Sequence, residues 1–303
     1  MNLRRTLGRL RGGSDPTRWL RNDRALWAGR WPTGEATIGL LVTGGRLTVR
    51  ATGAGADQAL ATAPRLVGLD DDHGPLRDVQ PPALSRLARR NAAFRLGATG
   101  DLVGALLPAV LGQRVTAGEA HHSWSRLCFD LGSPAPTDHA VLALVGIGEG
   151  GADAPGLMLP PEARVLAGLS AHRLHRYGVE RARGDLLIGI ARRARSLNAL
   201  IAHPPAEVRR RLETLPGVGP WTSSIATSVA QGDADAVLIG DLHVPSMVAW
   251  ALAGEERADD DRMLELLAPY AGHRARVQQL IAGSGLRAPR RGPKYRPLPI
   301  ARM

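Results

Sequence analysis

Leu215-Pro216-Gly217-Val218-Gly219-Pro220-Trp221-Thr222 joins two segments of helical periodicity. The segment before it points Val208 and Leu212 inward and is expected to stop at Pro216, which cannot continue a helix. Gly217 and Gly219 allow a tight turn without Cβ clashes. Pro220 suits the first position of a new helix. The product is a hairpin whose backbone N–H groups stand exposed at a helix N-terminus, a compact site for an anion such as a phosphate. A second helix, 221–231, ends at Gly232-Asp233-Ala234-Asp235, and the apolar run Ala236 to Ile239 leads to Gly240-Asp241-Leu242-His243-Val244-Pro245. Asp241 precedes a helical pattern, so it suits an N-cap whose carboxylate is held in place. A Gly-x-Gly turn alone is common at helix corners; the spacing to Asp241 is what gives it weight.

The bulk properties fit a phosphate-binding role. The chain has 303 residues and a formal net charge of +11, with Lys294 its only lysine. Such a surplus of arginine favours a polyanionic partner, because each neutralised phosphate releases counterions. Hydrophobic residues make up 44%, enough for a sizeable core. No run of eighteen apolar residues occurs, so no membrane span is expected, and no apolar segment of a signal peptide follows the basic start. A cytoplasmic protein is expected. Cys128 is the only cysteine, which excludes an intrachain disulfide and a four-thiolate cluster, and it reads as a buried, inert thiol.

Working toward the N-terminus, residues 1–30 are Arg-rich, interrupted by Gly12-Gly13, and read as a basic arm or a short first helix. Residues 36–51 read as a β-hairpin: an apolar run from Ala36 to Val42, turn chemistry at Thr43-Gly44-Gly45, then alternation in which Leu47, Val49 and Ala51 share one side. A helix over 56–64 is expected to end at Pro64, and Asp70-Asp71-Asp72 to be a loop or cap. From residue 83 the period changes to three and four, and strand-like alternation does not return. Helices are expected near 83–91, 100–112, 116–131, 137–144, 161–170, 179–200, 205–214, 221–231, 243–253, 260–268 and 272–283. Gly148 to Gly156 reads as a link, and Arg287 to Met303 as an irregular basic tail. The fold class is mainly α: a small α+β N-terminal domain with a basic arm (1–95), an all-α domain (96–286) and the tail (287–303).

Taken together, Leu215–Thr222 and Gly240–His243 resemble the helix-hairpin-helix and the Gly/Pro-Asp loop of the base-excision DNA glycosylases. Ala109-Val110-Leu111-Gly112-Gln113-Arg114-Val115-Thr116 is similar to a segment of the 3-methyladenine DNA glycosylase II branch that lines the DNA minor groove. The resemblance spans roughly residues 35–285 and includes the small N-terminal domain. It implies double-stranded DNA with a damaged base as the partner and a monomeric enzyme with no cofactor, a monovalent cation at the hairpin being compatible with it. Leu215, Gly217, Val218, Gly219 and Thr222 would hold a phosphate without reading sequence. Gln113 and Arg114 would contact DNA, Arg114 standing where the branch places an apolar plug. Trp221 would border the base pocket, and Asp241 would be the catalytic carboxylate, stabilising positive charge on the sugar. Bifunctional relatives carry lysine at 221, so the tryptophan implies a monofunctional enzyme that uses water. Ile225, Leu242 and the region of Ala282 lack aromatics common in the branch, which leaves the lesion class open.

Two rivals to alkylpurine release stand beside it: a non-catalytic protein that binds damaged DNA, and a glycosylase for another lesion. A metal site is not expected from His121, His122, His139, His172, His175, His203 and His273, because no acidic or thiolate partner set accompanies them.

Overall fold

The structure, a computed structural model, describes residues 2–8, 15–72, 76, 82–148, 156–286 and 289. The tail expected over 287–303 lies outside them apart from Pro289, as do Gly12-Gly13 and most of the link from Gly148 to Gly156. The N-terminal unit opens with α1 (Leu3–Gly8) and an antiparallel meander of β1 (Arg18–Leu20), β2 (Arg24–Trp31), β3 (Gly34–Thr43) and β4 (Arg46–Thr52), followed by α2 (Ala56–Leu66). The β3–β4 hairpin is the expected one. Thr43 pairs with Arg46, and Gly44 and Gly45 have φ of 57° and 78°. That backbone is open to glycine and matches the strand twist.

Residues 15–31 correct the expectation of a basic arm, since they form β1 and β2. The arginines there are tied into the fold. Arg18 lies 3.4 Å over the Trp27 ring and donates to the Ala28 carbonyl at 2.6 Å. Arg24 donates to Val145 O and Arg30 to Pro160 O. Burial lowers the Arg18 pKa to about 10. The alternation of β2 and β3 is hidden because both faces of the sheet are covered. Trp27, Ile38 and Leu40 pack with α1 and α2, while Leu26 packs with Val141 and Val145 on the other side. A strand buried on both faces reads as a continuous apolar run.

The helices follow as α3 (Pro82–Arg90), α4 (Leu102–Leu111), α5 (Ala117–Leu131), α6 (His139–Leu144), α7 (Ala163–Ala167), α8 (Ala171–His175), α9 (Arg181–Arg192), α10 (Ala194–Ala199), α11 (Pro205–Leu212), α12 (Pro220–Gln231), α13 (Val244–Ala253), α14 (Asp260–Leu267) and α15 (Arg274–Gly283). Four details differ from the sequence reading. Pro64 sits in the last turn of α2 rather than at its end. The stretch 179–200 breaks at Arg193 into α9 and α10. A two-residue ribbon, β5 (Ser133–Pro134) with β6 (Met158–Leu159), appears where no strand was expected. Helix α11 ends at Leu212, four residues before Pro216.

The helices divide between two cores. One gathers Leu106, Val110, Trp124, Leu127, Leu187, Ile190, Val208, Leu212 and Ala226 from α4, α5, α9, α11 and α12. The other gathers Leu84, Val248, Met263, Leu267, Val277 and Ile281 from α3, α13, α14 and α15. Helix α3, which the sequence boundary at residue 95 places with the N-terminal unit, shares this second core. Arg276, 2% exposed, pairs through both terminal nitrogens with Asp71 (2.8 and 2.5 Å), and Asp71 also accepts from Leu96 N. The acidic run Asp70-Asp71-Asp72 thus supplies a buried ion-pair partner. The first core runs through the turn into α12 as far as Ala230, and the second takes up Val237 in the loop after α12, so the candidate site falls on their seam.

Candidate functional site

The turn between α11 and α12 is built by two local rules. Val218 N donates to Leu215 O at 2.9 Å, with Pro216 and Gly217 between them and Gly217 at φ 90°. That is the pattern of a type II turn, with proline at the second position and glycine at the third. A Cβ on Gly217 would also stand 3.1 Å from Leu186. Gly219 differs. Its φ is −102° and a Cβ there would meet nothing within 4 Å, so nothing in the chain itself requires glycine at 219. The turn is braced from inside: Ser223 Oγ donates to Glu213 at 2.6 Å, and Val218 and Ser223 are buried. The N–H groups of Gly219, Trp221 and Thr222 have no acceptor among the described residues. Unpaired donors at a helix start are the elements of an anion site.

Asp241 lies two residues before His243, the N-cap of α13. Its Oδ1 accepts from His243 N (2.8 Å) and Val244 N (3.0 Å), and its Oδ2 accepts from Trp221 Nε1 (3.0 Å). The carboxylate is therefore fixed by one helix start and by an indole carried on the other. The sequence reading missed this use of Trp221, whose ring packs at Gly112, where a Cβ would lie 3.2 Å away. Leu242, next in the chain, is 86% exposed.

The loop that delivers Asp241 is stitched down before it arrives. Asp233, 7% exposed, pairs with Arg209 and accepts from Thr227 Oγ1 and Asp235 N. Asp235 accepts from Gly272 N and from Arg274 N and Nε. Burial pushes its carboxyl up, but the Arg274 and Gly272 hydrogen bonds outweigh that and hold it below the usual range. Gly240 N donates to Asp260.

Gln113 and Arg114 part company. The Gln113 amide donates to Gly217 O (2.9 Å) and Thr222 Oγ1 (2.8 Å), so the hydroxyl of Thr222, itself 2% exposed, faces Gln113. Arg114 is exposed, has φ 55° and makes no hydrogen bond or ion pair among the described residues. It is the only non-glycine residue with positive φ among them. Arg183, 4% exposed, donates to Leu111 O at the end of α4. Its position on the apolar face of α9, in step with Leu187 and Ile190, was the sequence signal that could have marked it. Among the described residues no group of three His, Cys, Asp or Glu side chains could hold a metal ion, and no helix is long and apolar enough to cross a membrane.

No family model matches the chain, and no curated protein matches it in sequence. Solved structures do match. The 3-methyladenine DNA glycosylase of Archaeoglobus fulgidus superposes with a TM-score of 0.73 over 93% of this chain and 94% of that one, at 16% identity. MBOgg1, solved with a low-affinity DNA ligand, gives 0.68 over 93% and 90%, at 14% identity. The 8-oxoguanine glycosylase/lyase of Clostridium acetobutylicum, solved with double-stranded DNA, gives 0.62 over 86% and 94%, at 11% identity. The chain has the fold of the helix-hairpin-helix DNA glycosylases. Within it the turn 215–219 lies between α11 and α12, and Asp241 stands on the loop between α12 and α13. At these identities the likeness is one of fold, and what the site does has to be argued from its own side chains.

Proposed function

We propose that this chain is a monofunctional DNA glycosylase of base-excision repair that acts on duplex DNA as a monomer and releases alkylated purines of the 3-methyladenine type by hydrolysis. The observation that carries the reading is the fixed carboxylate: Asp241, held by His243 N, Val244 N and Trp221 Nε1, one residue pair away from a hairpin with unpaired N–H groups. A phosphate gripped by Gly219, Trp221 and Thr222 N–H would set the strand beside that carboxylate. The damaged nucleotide leaves the stack, and as its N-glycosidic bond lengthens, positive charge grows on the sugar. A carboxylate that is already in place stabilises this charge without reorganisation and orients the attacking water. Position 221 carries an indole, not an amine, so no Schiff base forms with the sugar and the product is an abasic site in an unbroken strand. The substrates named for the Archaeoglobus and Clostridium proteins differ, and the tryptophan at 221 favours the former class.

The reading is tested by measuring free base released from methylated duplex DNA by the wild type and by Asp241→Asn. Release of 3-methyladenine by the wild type alone, with strand breaks only after alkali, supports it; equal release by both removes Asp241 from the mechanism. One observation favours a second reading, a non-catalytic binder of damaged DNA: Ile225 and the exposed Leu242 offer no ring for a flipped base to stack on. Retained binding with no release of any base would select it.

A further inference from the structure

The segment between α4 and α5 is pinned at every residue but one. Arg183 holds the Leu111 carbonyl from below. Thr116 N and Oγ1 donate to the Glu119 carboxylate, and Glu119 N donates back to Thr116 Oγ1, a reciprocal cap that fixes the start of α5. Between these anchors Gln113 reaches across to the hairpin, with 104 residues of chain separating it from Gly217. Its two amide hydrogens are divided between the Gly217 carbonyl and the Thr222 hydroxyl, one on each side of the turn that exposes the Gly219, Trp221 and Thr222 N–H groups. Arg114, the next residue, is exposed and left-handed. Residues kept in that conformation persist only where their surroundings determine it. The Gln113 amide donors are committed to two intrachain acceptors, a use of the side chain that nothing in the sequence signalled.

We propose that Gln113 is a positioning residue that locks the Arg114 turn to the phosphate-binding hairpin, so that gripping the backbone and inserting Arg114 into the duplex happen as one rigid event. This deepens the proposed glycosylase function and rests on it. With the bridge in place, a phosphate seated on the hairpin fixes where Arg114 stands relative to the strand. Without it, the guanidinium is a tethered charge whose contacts must be ordered at each encounter, a cost that preorganisation removes.

The test is a double-mutant cycle. Wild type, Gln113→Met, Arg114→Ala and the double variant are titrated against two duplexes, one undamaged and one with a tetrahydrofuran abasic analogue, and each protein is melted by calorimetry. Methionine keeps the length of the side chain and removes both donors. Ordering a freed, rotamer-rich side chain at each encounter costs about 0.5–1.5 kcal/mol, up to about tenfold in affinity. The expected result is an abasic preference in the wild type, about a tenfold fall in it for either single variant, no further fall in the double, and every variant still melting cooperatively above the titration temperature, with Gln113→Met lowered by the loss of its intrachain bonds. Multiplication of the two losses, or a Gln113→Met protein that binds as the wild type does, overturns the inference alone. A wild type that does not distinguish the duplexes overturns the glycosylase reading and this inference with it. If Gln113→Met does not fold, Thr222→Val, which removes one acceptor of the bridge, takes its place in the same cycle, with the same two outcomes.

Discussion

Replacing Trp221 by phenylalanine removes one bond of the candidate catalytic group, and the double variant with Asp241→Asn separates that bond from the packing lost with it. An aromatic ring stays at 221, but the far edge of the indole, whose Cη2 meets Gly112, is lost together with the N–H that donates to Asp241 Oδ2 at 3.0 Å. Oδ1 retains His243 N and Val244 N, so the carboxylate keeps its tether to α13 but is free to rotate about it. A hydrogen bond to a charged group contributes about 1.5–3 kcal/mol. Trp221 and Asp241 are both half-buried, which argues for the lower end. At 1.36 kcal/mol per factor of ten, the single-turnover rate of base release falls about tenfold. Affinity for an abasic-analogue duplex changes less than about twofold, because a positioning bond acts on the transition state rather than on the ground-state complex. The assay is single-turnover release from a methylated duplex, run beside Asp241→Asn and the double variant. In the Asp241→Asn background the tryptophan substitution should cost nothing further, since no carboxylate remains to be held. Wild-type rate in Trp221→Phe, or losses of rate and affinity that run in parallel, would refute the argument that Trp221 acts through Asp241.

Three further outcomes follow from the geometry. Gly217→Ala lowers stability by about 1–2 kcal/mol, the cost of a Cβ in left-handed backbone, and crowds Leu186. Gly219→Ala leaves the melting temperature unchanged, because its Cβ enters open space, while weakening duplex binding by adding bulk at a residue that carries one of the unpaired N–H groups; calorimetry and anisotropy separate the two. Arg276→Ala strands the buried Asp71 carboxylate and costs about 3–5 kcal/mol in denaturant melts, whereas Arg276→Met with Asp71→Leu recovers most of it; a small loss in the single variant would contradict the burial of the pair. The third outcome concerns pH: the Asp235 carboxyl lies below its ordinary value when folded, so its stabilisation is complete above the unfolded range near 3.9 and is lost as pH falls through the lower folded value. Asp235→Asn should therefore flatten the decline in stability below about pH 4, and an unchanged acid limb would show that Asp235 contributes nothing to it.

Several parts of this molecule were legible in the sequence because their causes are local. The hairpin follows from Pro216 and Pro220, which fix φ in their own residues, and from Gly217, which tolerates the positive φ of the turn. The helical periodicity from residue 83 onward places nearly every helix because burial repeats at three and four. The β3–β4 turn follows from Gly44-Gly45. Asp241 was singled out as a candidate by its spacing from the hairpin and its place before a helix, whose N-cap is His243. What stayed hidden depends on residues far apart in the chain. Strands β1 and β2 were hidden because their arginines bond to carbonyls such as Val145 O and Pro160 O, so the charges read as an exposed arm. Trp221 read as a pocket wall, since a 20-residue separation gives no sign that its N–H meets Asp241. Gln113 read as a DNA contact, and only the packing of α4 against α12 turned its amide toward Gly217 and Thr222. The sequence alone determined which residues can make a turn, a cap or a charge. Only the tertiary structure decided which donor meets which acceptor, because that pairing is set by how the two cores dock, and no local periodicity encodes it.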